Sequence, residues 1–256
     1  MKNIITLVGK ELHLYFISPI AYVVAMVFLA VSDFLFYNQI RYFSGLSMRM
    51  MQFQNNLPEL NIHDAVFRPT LFNLSIILLL IMPLLTMRLF AEEKKEHTNE
   101  LLMTSPITIT EIVFGKFIAA LAVYVLLLVL SLHVPLILSI VVDISWKPLF
   151  ASYLGLFLMG SVFLAMGLFA SSLTENQIIA AVISFGILIG LWMIGAATHG
   201  VGENALGQVA NYLSMSAHLD QFVKGLISSR SLSYFISMTA LGLFLTHRVV
   251  ESQRWK

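Results

Sequence analysis

Residues 117–142 run for about 26 positions without an Asp, Glu, Lys or Arg, longer than the roughly 20 apolar residues that carry a helix across a bilayer. Apolar runs recur at 19–37, interrupted only by Asp33, at 70–87, 149–171, 178–198 and, at the short limit, 231–246. They are too long and too numerous for one buried core. Too little chain remains between them for a separate soluble domain. Composition agrees, with 58% hydrophobic and 11% charged residues among 256, against about 25% charged in soluble domains. The expected fold is an all-α polytopic membrane protein, a single domain over residues 1–256. Six transmembrane helices are expected after an N-terminal amphipathic interfacial helix over 2–17.

In that first helix Ile4, Ile5, Val8, Leu12, Tyr15 and Phe16 share one face, and Lys2, Thr6, Lys10 and His13 another. Ser18-Pro19 ends it and opens span one; no cleaved signal peptide is expected. A polar, aromatic loop is expected over 38–69. Pro83 is expected to kink span two, and Pro135 to bend span three. Gly160 and Ser161 in span four would let another helix approach closely. The turn SLTENQ holds two capping-box spacings, Ser172 with Glu175 and Thr174 with Gln177. Residues 199–230 place Tyr212, Leu219, Phe222 and Leu226 at helical spacing, as in a helix that dips into the interface. Span six crosses only if Arg230 and Arg248 snorkel at its ends. With six crossings, nine Lys and Arg fall on the side of the termini against six opposite. The positive-inside rule then makes both termini cytoplasmic.

Several chemistries are excluded or disfavoured by what the chain lacks. A net charge of +1 leaves no basic face to follow nucleic-acid phosphates. The absence of cysteine removes disulfides and thiolate sites. The seven histidines are scattered without ligand spacing, so no metal site is expected. No catalytic residue or cofactor site is assigned. Asp33 and His133 are ionisable groups inside spans, where a charge costs a few kcal/mol. They join Gly160 as candidates for a path or interface.

The long charged passage is 88–116, RLFAEEKKEHTNELLMTSPITITEIVFGK, held between two apolar runs. Residues 91–95 are good helix formers. Thr98 is placed to cap a second short helix that ends before Pro106, and Thr108 with Glu111 spells a capping box. The expected product is a helical elbow across the membrane mouth, with acidic groups outward and Leu101-Leu102 available to a pocket. An ordinary solvated loop is the plain alternative.

R-x-F-A-E-E at 88–93, T-x-E-L-L-x-x-S-P at 98–106 and Gly115-Lys116 together resemble the ABC-2 class of ABC transporter permeases. The nearest resemblance is to the gliding-motility and related small-permease groups. The G-K-E-L at 9–12 ahead of Ser18-Pro19 is similar too, as are His218, Phe222, Gly225 and Tyr234-Phe235. His97 and Asn99 depart from the pattern, standing where those permeases often have Gly and an apolar residue.

The resemblance implies that residues 2–17 and the elbow dock a separate cytoplasmic ABC ATPase. Glu11, Glu92, Glu93, Thr98, Glu100, Leu101, Leu102 and Pro106 would be the coupling residues. The chain contains no G-x-x-x-x-G-K-[ST] loop, so ATP and Mg would be held by that partner. The reading is therefore a non-enzymatic permease subunit of an ATP-driven exporter in a bacterial inner membrane. It would pair with a second copy or a homologous permease among membrane lipids, with room for an extracytoplasmic accessory protein. The other readings are an ATP-driven mechanical component that moves an outer partner without carrying solute, and an intramembrane enzyme built on Asp33 and His133.

Overall fold

The computed structural model describes residues 2–53, 61–98, 107–198 and 212–253, and these are helical with no strand. Helix α1 spans Lys2–Ile17 and α2 Pro19–Phe53. A π-helical turn at His63–Phe67 leads into α3, Arg68–Thr86, followed by α4, Arg88–Lys95. Next come α5, Ile109–Ser131, α6, His133–Val141, and α7, Trp146–Leu173. Helices α8, Gln177–Thr198, α9, Met215–Val223, and α10, Ser229–Gln253, complete the order.

Helix α2 does not stop at Tyr37 as expected. The stretch 38–53 holds no proline, and its one glycine, Gly45, is surrounded by helix-compatible residues. The helix continues for 35 residues, about 52 Å at 1.5 Å per residue, against a hydrocarbon core of about 30 Å. The expected loop over 38–69 is thus helical in its first half and again from His63.

Proline places the other large break. Pro135 offers no N–H to Ser131 and its ring crowds that carbonyl. The α-helix accordingly ends at Ser131, and Leu132 turns its N–H to Val129 O at 3.1 Å. Pro83, by contrast, lies inside α3, and the chain breaks four residues later at Met87. Helix α5 opens on the capping box that its sequence spells. Thr108 Oγ1 accepts from Glu111 N, and a Glu111 carboxylate oxygen accepts from Thr108 N at 3.0 Å. The SLTENQ turn works differently: Asn176 Oδ1 accepts from Ile178 N and Ile179 N, capping α8 in place of either expected box.

Among the described residues, five segments are long and apolar enough to cross a membrane: Pro19–Arg49, His63–Lys95, Ile109–Val141, Trp146–Leu173 and Gln177–Ile194. The expected sixth lies within α10, which is helical throughout but does not qualify. Arg230, His247, Arg248 and Glu251, with five serines and threonines between them, dilute its apolar character. Helix α10 packs on α7 closely enough that a Cβ on Gly242 would meet Ala165 Cβ at 2.9 Å.

Helix α7 is the axle. Its most apolar window is 78% buried, against 22% for α2 and 17% for α8. Gly160 lets Tyr124 of α5 lie against the α7 backbone, where a Cβ would meet the Tyr124 ring at 2.3 Å. The phenol donates to Leu156 O at 2.6 Å. On the side of α7 where the α6–α7 connection lies, α9 packs with Leu219 and Phe222 buried, while Tyr212 and Leu226 are exposed. Gly225, at φ +82°, turns the chain there against Pro148.

Candidate coupling site

The elbow begins where α3 gives way to α4 at Met87. The residue before α4 supplies no side-chain cap, so the first N–H groups of this helix lack a partner of their own. Ser171, near the end of α7, fills that role. Its Oγ accepts from Phe90 N at 3.0 Å and Ala91 N at 3.2 Å, and donates to Met87 O at 2.9 Å. One hydroxyl thereby splices the elbow to the axle. Nearby, Gly167 lets α7 approach Thr86 so closely that a Cβ would overlap its hydroxyl, at 2.1 Å.

The other end of α4 is tied to the same place. Lys94 Nζ donates to Ser172 O, and Gln253 Nε2 of α10 donates to it at 3.1 Å. These bonds satisfy a carbonyl in the last turn of α7, which the helix itself leaves open. His97 follows α4 at φ 55°, the left-handed conformation glycine adopts most readily. The residue that departs from the permease pattern thus keeps the backbone geometry a glycine there would favour. Thr98 Oγ1 donates to Glu93 O at 3.2 Å, closing the end of α4.

Inside the elbow four charges meet. Lys116 Nζ of α5 is 2.7 Å from Glu11 Oε1 of α1 and 2.9 Å from Glu93 Oε2 of α4. Glu93 Oε1 also accepts from Lys10 Nζ at 3.2 Å. The Lys116 side chain is 1% exposed and that of Glu11 is 5% exposed. Lys116 directs a hydrogen bond at Glu11, whereas its contact with Glu93 Oε2 has ion-pair distance without hydrogen-bond alignment. The ring of Phe90 lies 5.2 Å from the ammonium. The two lysines balance the two carboxylates, and without them the buried carboxylates would be strongly unfavourable.

Helix α1 completes the brace. Its buried stripe is Leu7, Glu11 and Tyr15, four residues apart, while Ile5, Phe16 and Ile17 are exposed. The division into faces differs from the expected one because Glu11 is drawn inward by Lys116. Leu7 seats on Gly115, and Tyr15 donates to Leu85 O at 2.7 Å under the Arg88 guanidinium, which lies 4.4 Å from the ring. Burial pushes the Tyr15 phenol well above its usual range and Arg88 pulls it partly back, so it serves as a neutral donor.

Of the expected coupling residues, Glu11, Glu93 and Thr98 meet in this assembly. Glu92 is half-buried beside it. The expectation that the elbow turns its acidic groups outward is corrected at Glu93, which faces Lys116. Glu100, Leu101, Leu102 and Pro106 lie outside the described residues, as does the short helix expected between Thr98 and Pro106. Sequence reasoning passed over Lys10, Lys116 and Ser171 as members of the site. Lys116 carried a readable signal: a lysine two turns into a helix that is uncharged from there on needs a partner.

Asp33 and His133 also come together. Asp33 Oδ1 of α2 is 3.1 Å from His133 Nε2 of α6, with 48% and 44% of the side chains exposed. His133 Nδ1 is 2.7 Å from Leu130 O and donates to it. The contact with Asp33 is therefore attractive only when a proton resides on Nε2 or on the carboxyl. Gly160 lies apart from this pair, against Tyr124. Among the described residues no group of three or more His, Cys, Asp or Glu is placed to hold a metal.

Five helices long and apolar enough to cross a membrane, packed around α7 and joined to a charged elbow, mark a multi-pass membrane protein. The family model described as ABC-2 family transporter protein matches residues 52–246, and the chain belongs to that family. Its members are permease subunits that partner an ABC ATPase. The match begins near the end of α2, so Lys10 and Glu11 precede it while α4, Lys116 and Ser171 fall within it. A search of curated proteins finds no match.

Proposed function

We propose that this chain is the permease half of an ATP-driven exporter in a bacterial inner membrane, and that α1 with the elbow receives the stroke of a cytoplasmic ATPase. The observation that carries the reading is the Lys116 cluster. It ties α1, α4 and α5 through one buried ammonium, and Ser171 ties α4 to α7, so a push on the elbow moves the packed core as a block. A solvated loop would absorb that push instead. Two permeases, identical or homologous, would enclose the path, and two conformations with different affinity for the ATPase states would alternate. Glu92, Glu100, Leu101, Leu102 and Pro106 are assigned to the docking face and Glu11, Glu93 and Thr98 to its support. Affinity with the gliding-motility group rests on the R-x-F-A-E-E and T-x-E-L-L pattern.

The test is purification in mild detergent from the native membrane, with an ATPase assay and a native mass. A P-loop ATPase should accompany two permease chains. Glu100→Lys and Leu101→Asp should abolish substrate-linked ATPase activity while leaving insertion intact. Full activity in both variants would refute docking at the elbow.

A further inference from the structure

Helices α5 and α10 diverge beside α7 and leave a groove of about 690 Å³ on the side of the elbow. Its two ends differ in chemistry. At the mouth are Thr110 in the first turn of α5 and His247, Arg248 and Glu251 in the last turns of α10. Thr110 Oγ1 is 3.3 Å from His247 Nε2, which closes the mouth between the two helices. Below it the walls are Phe114, Phe117, Leu243, Phe244 and Ile236. From His247 to Ile236 is eleven residues, about 16 Å of helix, or half of a hydrocarbon core of about 30 Å. The groove therefore has the depth of one leaflet and is charged only where a lipid headgroup would sit.

We propose that this groove binds one zwitterionic aminophospholipid of the phosphatidylethanolamine type. An acyl chain lies along Phe117, Leu243 and Ile236, the phosphate sits on Arg248 and Thr110, and the ammonium sits on Glu251. Charge complementarity selects that occupant. The mouth holds one guanidinium and one carboxylate, with Arg248 Nη1 donating to Glu251 Oε2 at 3.0 Å and the two side chains 62% and 39% exposed. Arg248 has five N–H donors, and that bond uses one. An anionic lipid meets the same guanidinium but is repelled by Glu251. A choline headgroup has no N–H to give the carboxylate. A second groove of about 480 Å³, between Val129 and Phe157 toward the α6–α7 connection, has no charged side chain in its lining and selects no headgroup.

The test uses the full chain with whatever subunits accompany it. The complex is loaded from vesicles of equal parts phosphatidylethanolamine, phosphatidylcholine and phosphatidylglycerol, and retained lipid is counted by native mass spectrometry. One phosphatidylethanolamine per permease is expected above the other two. Glu251→Gln should reduce its preference over phosphatidylcholine about fivefold, the size of one exposed ion pair. Glu251→Lys should turn the preference toward phosphatidylglycerol. Ala240 is exposed in the groove, so Ala240→Phe fills it without disturbing the core and should remove the lipid while the elution volume is unchanged. Retention indifferent to headgroup and to both positions overturns the proposal. So does a disulfide between two copies of the Ala240→Cys variant, which would show the groove covered by a second permease.

Discussion

Lys116 lies two turns into α5 with its ammonium 2.7 Å from Glu11 and 2.9 Å from Glu93. Its net contribution to stability is small, because removing three charges from water costs about what their attraction returns. Breaking the cluster is another matter. Lys116→Met leaves two buried carboxylates with only the half-exposed Lys10 nearby, and should lower unfolding stability by about 3–5 kcal/mol. The triple variant Lys116→Met, Glu11→Leu, Glu93→Leu should recover most of that in a thermal melt while losing the coupling between α1 and α4. His218 makes the opposite demand at the far end of the molecule. Its Nε2 donates to Tyr212 O and its Nδ1 faces Ser231 Oγ, both at 2.9 Å, with the ring stacked on Tyr234. Burial lowers its pKa below 6.5, helped by Arg230 and opposed by the Tyr212 carbonyl. The neutral ring is thus the folded one. Its contribution is complete above about pH 6.5 and is lost as pH falls from there toward the lower folded value. The thermal midpoint should fall between about pH 7.5 and pH 5.5, and His218→Gln should flatten that difference.

At the scale of elements, two helices meet through one missing side chain. Gly160→Ala places a methyl 2.3 Å from the Tyr124 ring, an overpacking that should cost about 1–3 kcal/mol. Removing the obstacle with Tyr124→Leu should return part of it, and a double-mutant cycle measured by denaturation would give the coupling. Some elements could be read from residues alone. The Thr108–Glu111 box and the break ahead of Pro135 are local, and local chemistry decided them. The length of α2 was missed because polar residues in 38–53 suggested a loop, although nothing there stops a helix. At α10 the residues gave the helix, but its charged ends keep it outside the five segments that qualify by length and composition. The first arm of the elbow, α4, was legible from its run of helix-forming charged residues, while the second lies outside the described residues. The geometry around α4 was not legible, because Ser171 and Lys116 are 55 residues apart in sequence and both reach α4. Nothing in a hydropathy profile pairs them.

Across the whole molecule, burial is lopsided. Helices α3 and α7 are enclosed, with 67% and 78% of their most apolar windows buried, while α2 and α8 keep most of theirs bare. A single chain thus has a packed interior flanked by two lightly covered apolar walls. The Asp33–His133 contact lies on one of those walls, between α2 and α6. Helix α2 adds a mechanical consequence. It is rooted at Ser18, directly after α1, whose Tyr15 and Glu11 are gripped by the elbow assembly. From that root it reaches about 52 Å, well past the far face of a bilayer. Phe28 and Phe36 are buried in the core and Phe36 packs against Phe67, so the packed length acts as a fulcrum and leverage is greatest in the turns beyond it, where a small tilt is multiplied by the remaining length of the rod.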